Sequence, residues 1–135
     1  MCVFRVSGAH FDVDQFLGKS LWLPPAIFRA GEPRFPASQP KGPILEQSGF
    51  NLNVSDAEFS ELHRQIHDAI LFLRSNEKEL VRLRDFPGVE GMCLDFGIEE
   101  RDVPAQSEAF PPELLFLLGQ MGISLAFTLY PTQDA

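Results

Sequence analysis

Two histidines, His63 and His67, are four residues apart where the chain shows its clearest helical periodicity. That spacing lets two imidazoles reach one metal ion from the same face of a helix, which is the chemistry of zinc-dependent hydrolases. The residues between them are Arg64, Gln65 and Ile66, so the glutamate of the zinc-protease motif is missing. Since a metal site also needs a third and a fourth ligand, the sequence favours a structural or solvent-facing pair that flanks the apolar stripe of the helix.

A second polar cluster, His10, Asp12 and Asp14, precedes the first predicted helix. Such a loop can hold a cation or supply an acid and a base. Asp12, however, is in the N-cap position, and Asp14 in the first turn interacts favourably with the helix dipole. These local structural roles account for both carboxylates without a site.

Other candidate groups are equally unsupported. Glu99 and Glu100 are neighbours at the end of a strand, so their side chains point to opposite sides. Cys93 has Asp95 near it and no cation in the local sequence, so nothing indicates a lowered thiol pKa. The chain has no glycine-rich phosphate-binding motif. The sequence therefore predicts no catalytic residue, no bound metal and no cofactor.

One apolar segment stands out because it lies in a Pro-rich connection. Its apolar residues are Leu21, Trp22, Leu23, Ile27 and Phe28, joined to Phe35, and two interpretations remain open. Its residues fold back over the core, or they form one exposed patch that marks an interface. In the second interpretation the interaction residues are Trp22, Ile27 and Phe28, with Trp22 as the anchor because Trp dominates binding hot spots.

The elements that must position these residues alternate as β-α-β-β-α-β-α-β. Period-two patterns predict the strands, and three-to-four-residue spacing with capping residues predicts the helices. The spacing of Ser55 and Glu58 predicts a capping box that starts the long helix. The predicted strands begin near residues 2, 26, 50, 92 and 125. The predicted helices span 13–17, the long stretch from 59 to 84 with a break at 75–76, and 111–120.

This order predicts an α+β fold, a two-layer sandwich with a mostly antiparallel sheet and helices on one face. The first six elements match a ferredoxin-like βαββαβ core, to which a C-terminal helix and strand are added. We expect a single domain over 1–135, with 33–49 as a Pro-rich loop within it. The expected inward rings are those of Phe4, Phe50, Phe59, Phe96 and Phe127. The expected open face of the sheet carries Arg5, Asn51, Asn53, Asp95 and Thr128.

Charge and composition limit the partners. A formal net charge of −8 argues against binding to nucleic acid or to an anionic membrane, since both require a basic surface. No apolar run is as long as a membrane span, and the N-terminus has no secretory signal pattern. Two cysteines are typical of a reducing compartment, so the predicted location is cytoplasmic.

Several segments together resemble a known family. They are an N-terminal strand, FDVDQFLG, an AGEP turn, a long helix and PPELLFLLGQMGISLAFTLYP. The chain is similar in these features to the uncharacterised bacterial family called domain of unknown function 4279, in which the position of Phe50 more often holds Trp. The resemblance implies no activity. The family is discussed alongside immunity proteins that neutralise toxins, and the acidic charge suits a basic nuclease toxin.

Three functions follow as hypotheses. The first is a non-catalytic interaction domain, with a protein partner or a homo-oligomer. The second is an immunity-type inhibitor of a toxin. The third is a small metal-dependent hydrolase that uses His63 and His67 with nearby carboxylates.

Overall fold

A computed structural model describes residues 1–132 of the chain. The secondary structure elements alternate much as the sequence patterns predict. The strands are β1 Cys2–Gly8, β2 Ala26–Phe28, β3 Pro33–Phe35, β4 Gln39–Ile44, β5 Ser48–Ser55, β6 Gly91–Glu100 and β7 Ser124–Pro131. The helices are α1 Val13–Leu17, α2 Leu62–Ser75, α3 Glu77–Arg84 and α4 Pro112–Met121.

Five strands form the main sheet in the order β2-β5-β1-β6-β7. β1 is central and pairs antiparallel with both neighbours, so that Phe4 is opposite Leu52 on one side and Leu94 on the other. β2 is antiparallel to β5, whereas β7 is parallel to β6. β3 and β4 form a separate two-stranded sheet. The prediction of an α+β fold with a mostly antiparallel sheet is confirmed.

The core lies between one face of this sheet and the helices. Alternation in β1 directs Cys2, Phe4 and Val6 into it, where they are buried. The helices cover them with aliphatic side chains spaced three or four residues apart. Among those fully or almost fully buried in the helices are Ile66, Ala69, Leu73, Leu80, Leu83, Leu114 and Leu118.

The opposite face of the sheet is polar, as predicted. Asp95 accepts hydrogen bonds there from Arg5, at 3.3 Å, and from Thr128 Oγ1, at 2.9 Å. These contacts join three neighbouring strands, β1, β6 and β7. Both Arg5 and Thr128 are largely exposed, so each contact adds little to stability.

The helix ends at α1 and α4 follow the local sequence signals. The Asp12 side chain accepts from the Gln15 N–H at 3.1 Å, and the rings of Phe11 and Phe16 pack 6.2 Å apart. Gly122 ends α4 with φ of 70°, the left-handed conformation in which glycine is favoured. These caps were predicted correctly.

The predicted start of the long helix is wrong. Ser55 ends β5, and its hydroxyl donates to Asp68 at 2.6 Å while it accepts from the Ala57 N–H. The helix begins only at Leu62, because residues 56–61 form a loop. Ser55 and Glu58 therefore do not form a capping box.

Two of the five rings predicted to be inward are not in the core. Phe4, Phe50 and Phe96 are fully buried, as expected. Phe59 belongs to the 56–61 loop and is half-buried on the other side of the sheet, where its ring covers Gly97. Phe127 is 55% exposed, because β7 is the outermost strand.

The segment 33–49 is more ordered than a Pro-rich loop. It contains β3 and β4, which pair with a bulge between the Pro33 and Phe35 positions, and its last residues belong to β5. In a two-stranded ribbon each strand is an edge, so a proline without an N–H is tolerated on its open side. The many prolines obscured these strands in the sequence.

Candidate interaction surface

The structure places His63 and His67 on the exposed side of α2. Among residues 1–132, no group of three or more His, Cys, Asp or Glu side chains is placed to hold a metal ion. The pair therefore has the geometry of solvent-facing side chains that flank the buried stripe, which includes Gln65 and Ile66.

Gln65 is a fully buried polar side chain that sequence reasoning missed. Its Nε2 donates to the carbonyl of Glu58, at 3.0 Å, and to that of Gly97, at 2.8 Å. The amide thus ties the 56–61 loop to β6. It lies between two histidines in the sequence, and only its position in the apolar stripe could have identified it.

The 56–61 loop builds an open groove on the polar face of the sheet. The Phe59 ring stacks on Tyr130 with centroids 4.2 Å apart and planes within 5°. A side chain at Gly97 would collide with Phe59, since its Cβ would be 2.6 Å from the ring. The groove beside this stack has a volume of about 530 Å³ and is lined on its polar side by Glu58 and Glu99.

Trp22 lies over the core, as the first interpretation of its segment has it. Its ring centroid lies 6.1 to 6.4 Å from those of Phe4, Phe16, Phe50 and Phe72. Its indole Nε1 donates to Asn76 Oδ1 at 3.1 Å. The tryptophan is therefore a packing residue and a link between the β2 side of the sheet and the α2–α3 break.

The other candidate residues of that segment lie on or beside β2. Ile27 is 39% exposed, and Phe28 is half-buried against Gly49. Leu21 and Leu23, on either side of the half-buried tryptophan, are 97% and 91% exposed. In this segment, a tryptophan that packs on the core thus lies between two exposed leucines.

The edge of the sheet at β2 is short, and its sequence limits pairing with another strand. β2 has three residues and follows Pro24 and Pro25 directly. Beside it, Arg29 donates two hydrogen bonds to Asp14, at 2.7 and 2.9 Å. These hydrogen bonds lower the pKa of the Asp14 carboxyl, so it stays charged in a structural role rather than a catalytic one.

The two cysteines are poor nucleophiles. Cys2 is fully buried, and burial raises the pKa of its thiol strongly. Burial, and then the charge of Asp95, raise the pKa of Cys93. Both thiols are therefore protonated at neutral pH, the state in which they do not attack.

The opposite edge of the sheet is long, uncharged and open. β7 spans eight residues, Ser124–Pro131, and none of them is charged. Phe127 and Leu129, on the face that the helices cover, are 55% and 49% exposed. Phe96, the register partner of Phe127 on β6, is fully buried. On this face of the sheet, the rings therefore change from fully buried on β6 to half-exposed on the neighbouring strand β7.

α4 extends this apolar surface. Glu113 pairs with Arg74 of α2, which fixes the side of α4 that faces α2. Leu115 is about 200° further around the helix, at about 100° per residue, so it faces away from α2. Because α4 packs on α2, α3 and β7, that flank lies toward the outer edge of the sheet. We call β7 together with Leu115 the β7 edge.

A signal for this surface is present in the sequence. Residues 111–131 contain one charged side chain, Glu113, in a chain of which 22% is charged. A helix that is apolar nearly all round needs cover on more than one side. Here Leu114 and Leu118 are buried, while Leu115 is half-exposed and Phe116 is 67% exposed.

Within residues 1–132, no helix has the length and apolar character required to cross a membrane. Comparisons with protein-family models, with curated proteins and with solved structures gave no match. The resemblance to domain of unknown function 4279 therefore stays a prediction.

Proposed function

We propose that this chain is a non-catalytic interaction domain that binds another polypeptide along the β7 edge. The observation that carries the proposal is an uncharged edge strand of eight residues that leaves Phe127 and Leu129 half-exposed. Shape and chemistry, rather than a reactive group, distinguish this surface.

An edge strand offers a row of unpaired N–H and C=O groups to any extended chain. Proteins commonly protect such edges with short strands, charges, prolines or bulges. β2 has three residues and two preceding prolines, whereas β7 has a single proline, Pro131, at its last position. A partner strand added to β7 would form main-chain hydrogen bonds along its length.

The side chains of the β7 edge add an apolar contact to those hydrogen bonds. Phe127, Leu129 and Leu115 lie at the same edge, and aromatic residues supply much of the binding energy in protein interfaces. Contiguous exposed apolar surface marks an interaction site more often than scattered single residues do. The isolated leucines Leu21 and Leu23 are of the second kind.

The proposal is tested by matched substitutions at the two edges of the sheet. Affinity-tagged wild type, Phe127→Lys and Ile27→Lys are used to capture proteins from the cells that carry this gene, with quantitative mass spectrometry as readout. We expect a defined protein, or an untagged copy of the chain, to be retained by wild type and Ile27→Lys but not by Phe127→Lys. Identical retention by all three would refute the β7 edge, and loss with Ile27→Lys alone would move the interface to β2.

A basic toxin is a second candidate for the partner. The net charge of −8 favours a positively charged protein, and the resemblance to domain of unknown function 4279 supports an immunity role.

We also propose a cytoplasmic location, on the basis of two free cysteines. A ferredoxin-like core is supported by β1 and β2, which run in the same direction with β5 between them.

A further inference from the structure

We propose that the occupant of the β7 edge is a second copy of this chain, paired antiparallel through β7 about a two-fold axis. This inference rests on the proposed function and specifies its partner. It would join two five-stranded sheets into one continuous sheet of ten strands, a size that open sheets do reach.

Charge is the first argument for a second copy. A two-fold interface places each surface opposite itself, so any charge near the axis meets an identical charge. A chain with net charge −8 has few long surfaces that tolerate this. β7 carries no charged residue, and Glu113 of the adjacent helix is already paired with Arg74 on the far side of α4. The β7 edge can therefore face its own copy without like-charge repulsion.

The side-chain pattern of β7 is the second argument, because it fixes a register. Residues that are directly opposite in a sheet lie on the same face. In an antiparallel pair of identical strands, this requires one residue of β7 to be opposite its own copy, with the two-fold axis between the two. An axis at Phe127 pairs the two Phe127 rings, and it pairs Leu125 of each copy with Leu129 of the other. Every pair on the helix-covered face is then apolar.

The two neighbouring axes are less favourable. An axis at Ala126 pairs only residues 124–128 of the strand, whereas the axis at Phe127 pairs residues 124–130. The other neighbouring axis is at Thr128. It pairs Leu125 with Pro131, which has no N–H to donate across the interface. The axis at Phe127 leaves Pro131 outside the paired segment. On the polar face it sets Ala126 opposite Thr128, and Ser124 opposite Tyr130, so no apolar side chain there is left against a charge.

The helices support the same arrangement. Leu115 is on the flank of α4 that faces away from α2, toward the edge, and it is half-exposed. In the two-fold assembly this flank meets the same flank of the second copy above the paired Phe127 rings. The dimer therefore covers the apolar residues of β7 and of α4 in a single interface.

The first test is the mass of the purified chain in solution. Sedimentation equilibrium over about 1 to 100 µM, the range of dissociation constants of many specific complexes, should give twice 15.1 kDa for wild type and for Ile27→Lys. Phe127→Lys should sediment as a monomer with an unchanged far-UV circular dichroism spectrum, and Leu129→Lys is the second variant should Phe127→Lys misfold. A wild type that is monomeric throughout, or a dimer that persists in both lysine variants, would overturn the inference.

The second test is the register. In a Cys93→Ser background, Phe127→Cys should form a disulfide-linked dimer with oxidised glutathione, which takes up the two electrons and two protons of the thiols. Opposed Cβ atoms in such a pair are about 5 Å apart. Leu129→Cys should not crosslink, because its two copies are offset by four residues, about 13 Å along the strands. Crosslinking at 129 but not at 127 would overturn this register.

The two proposals fail in different ways. A monomeric wild type that still captures another protein through Phe127 would leave the interaction function standing and remove the second copy as its partner. A monomeric wild type that captures nothing through Phe127 would remove both.

Discussion

The two edges of the main sheet end in opposite ways. At β2 the strand is three residues long, prolines precede it, and Trp22 closes the core beneath it with rings on several sides. At β7 the strand is eight residues long, and the ring of Phe127 is half in solvent. At the β2 edge, residues of the chain itself cover the core. At the β7 edge, the apolar side chains on the helix-covered face are half-exposed. This difference is the basis of the proposal that a partner binds at β7 and not at β2.

The largest expected loss of stability is at the β2 edge. Trp22→Ala removes a ring that contacts four phenylalanines and a hydrogen bond to Asn76, so it should cost about 3 kcal/mol of unfolding free energy. Urea unfolding followed by circular dichroism measures this loss. The matched control is Leu21→Ala, at an exposed neighbour, which should change stability by less than about 0.5 kcal/mol. Equal losses in the two variants would show that β2 is not closed by Trp22.

The next effect concerns the support of the β7 edge. Gln65→Ala removes the donor to the buried carbonyl of Gly97, while the carbonyl of Glu58 keeps the Glu61 N–H, and it should cost about 1 to 3 kcal/mol. Amide hydrogen exchange should also become faster in the 56–61 loop, which this side chain ties to β6. His63→Ala is the control on the same helix, and we expect it to leave both unfolding and exchange unchanged.

The comparison of Gln65→Ala with His63→Ala also tests the metal-dependent hydrolase hypothesis. If His63→Ala were the destabilising change and zinc protected the wild type alone against unfolding, the hydrolase alternative would replace the interaction domain. No other outcome of that comparison favours a metal.

The smallest effect is the pH dependence of the ion pair beside β2. Hydrogen bonds from Arg29 lower the pKa of Asp14, so its contribution to stability is present above the pKa of an unfolded aspartate, about 3.9, and is lost as pH falls through the lower folded value. Asp14→Asn should therefore be slightly less stable than wild type at pH 7, and the gap should close below pH of about 4. A gap that is constant with pH would mean that the pair contributes nothing through charge.

Much of the fold was predictable because its signals are local. Alternation located β1, β5 and β6, and the caps at Asp12 and Gly122 located two helix ends. The start of α2 was missed because Ser55 and Glu58 have capping spacing but are used in a strand end and a loop. Local patterns cannot tell which use the tertiary structure selects.

The proposed interaction surface was not predictable to the same degree. Alternation shows that Phe127 is on the helix-covered face, but it does not show that β7 is the last strand of the sheet. The same limit applies to Trp22, whose apolar neighbours suggested a patch before its packing on the core was known. Exposure depends on strand order, which is set by contacts distant in sequence.

The central claim is that β7, and not β2, is covered by a second copy of the chain. Residue-resolved amide hydrogen exchange at increasing protein concentration tests it directly, since pairing protects the outward N–H groups of an edge strand. We predict that exchange in Ser124–Tyr130 slows as concentration rises while exchange in Ala26–Phe28 does not change. Exchange in β7 that is independent of concentration, and as fast as in β2, would contradict the account.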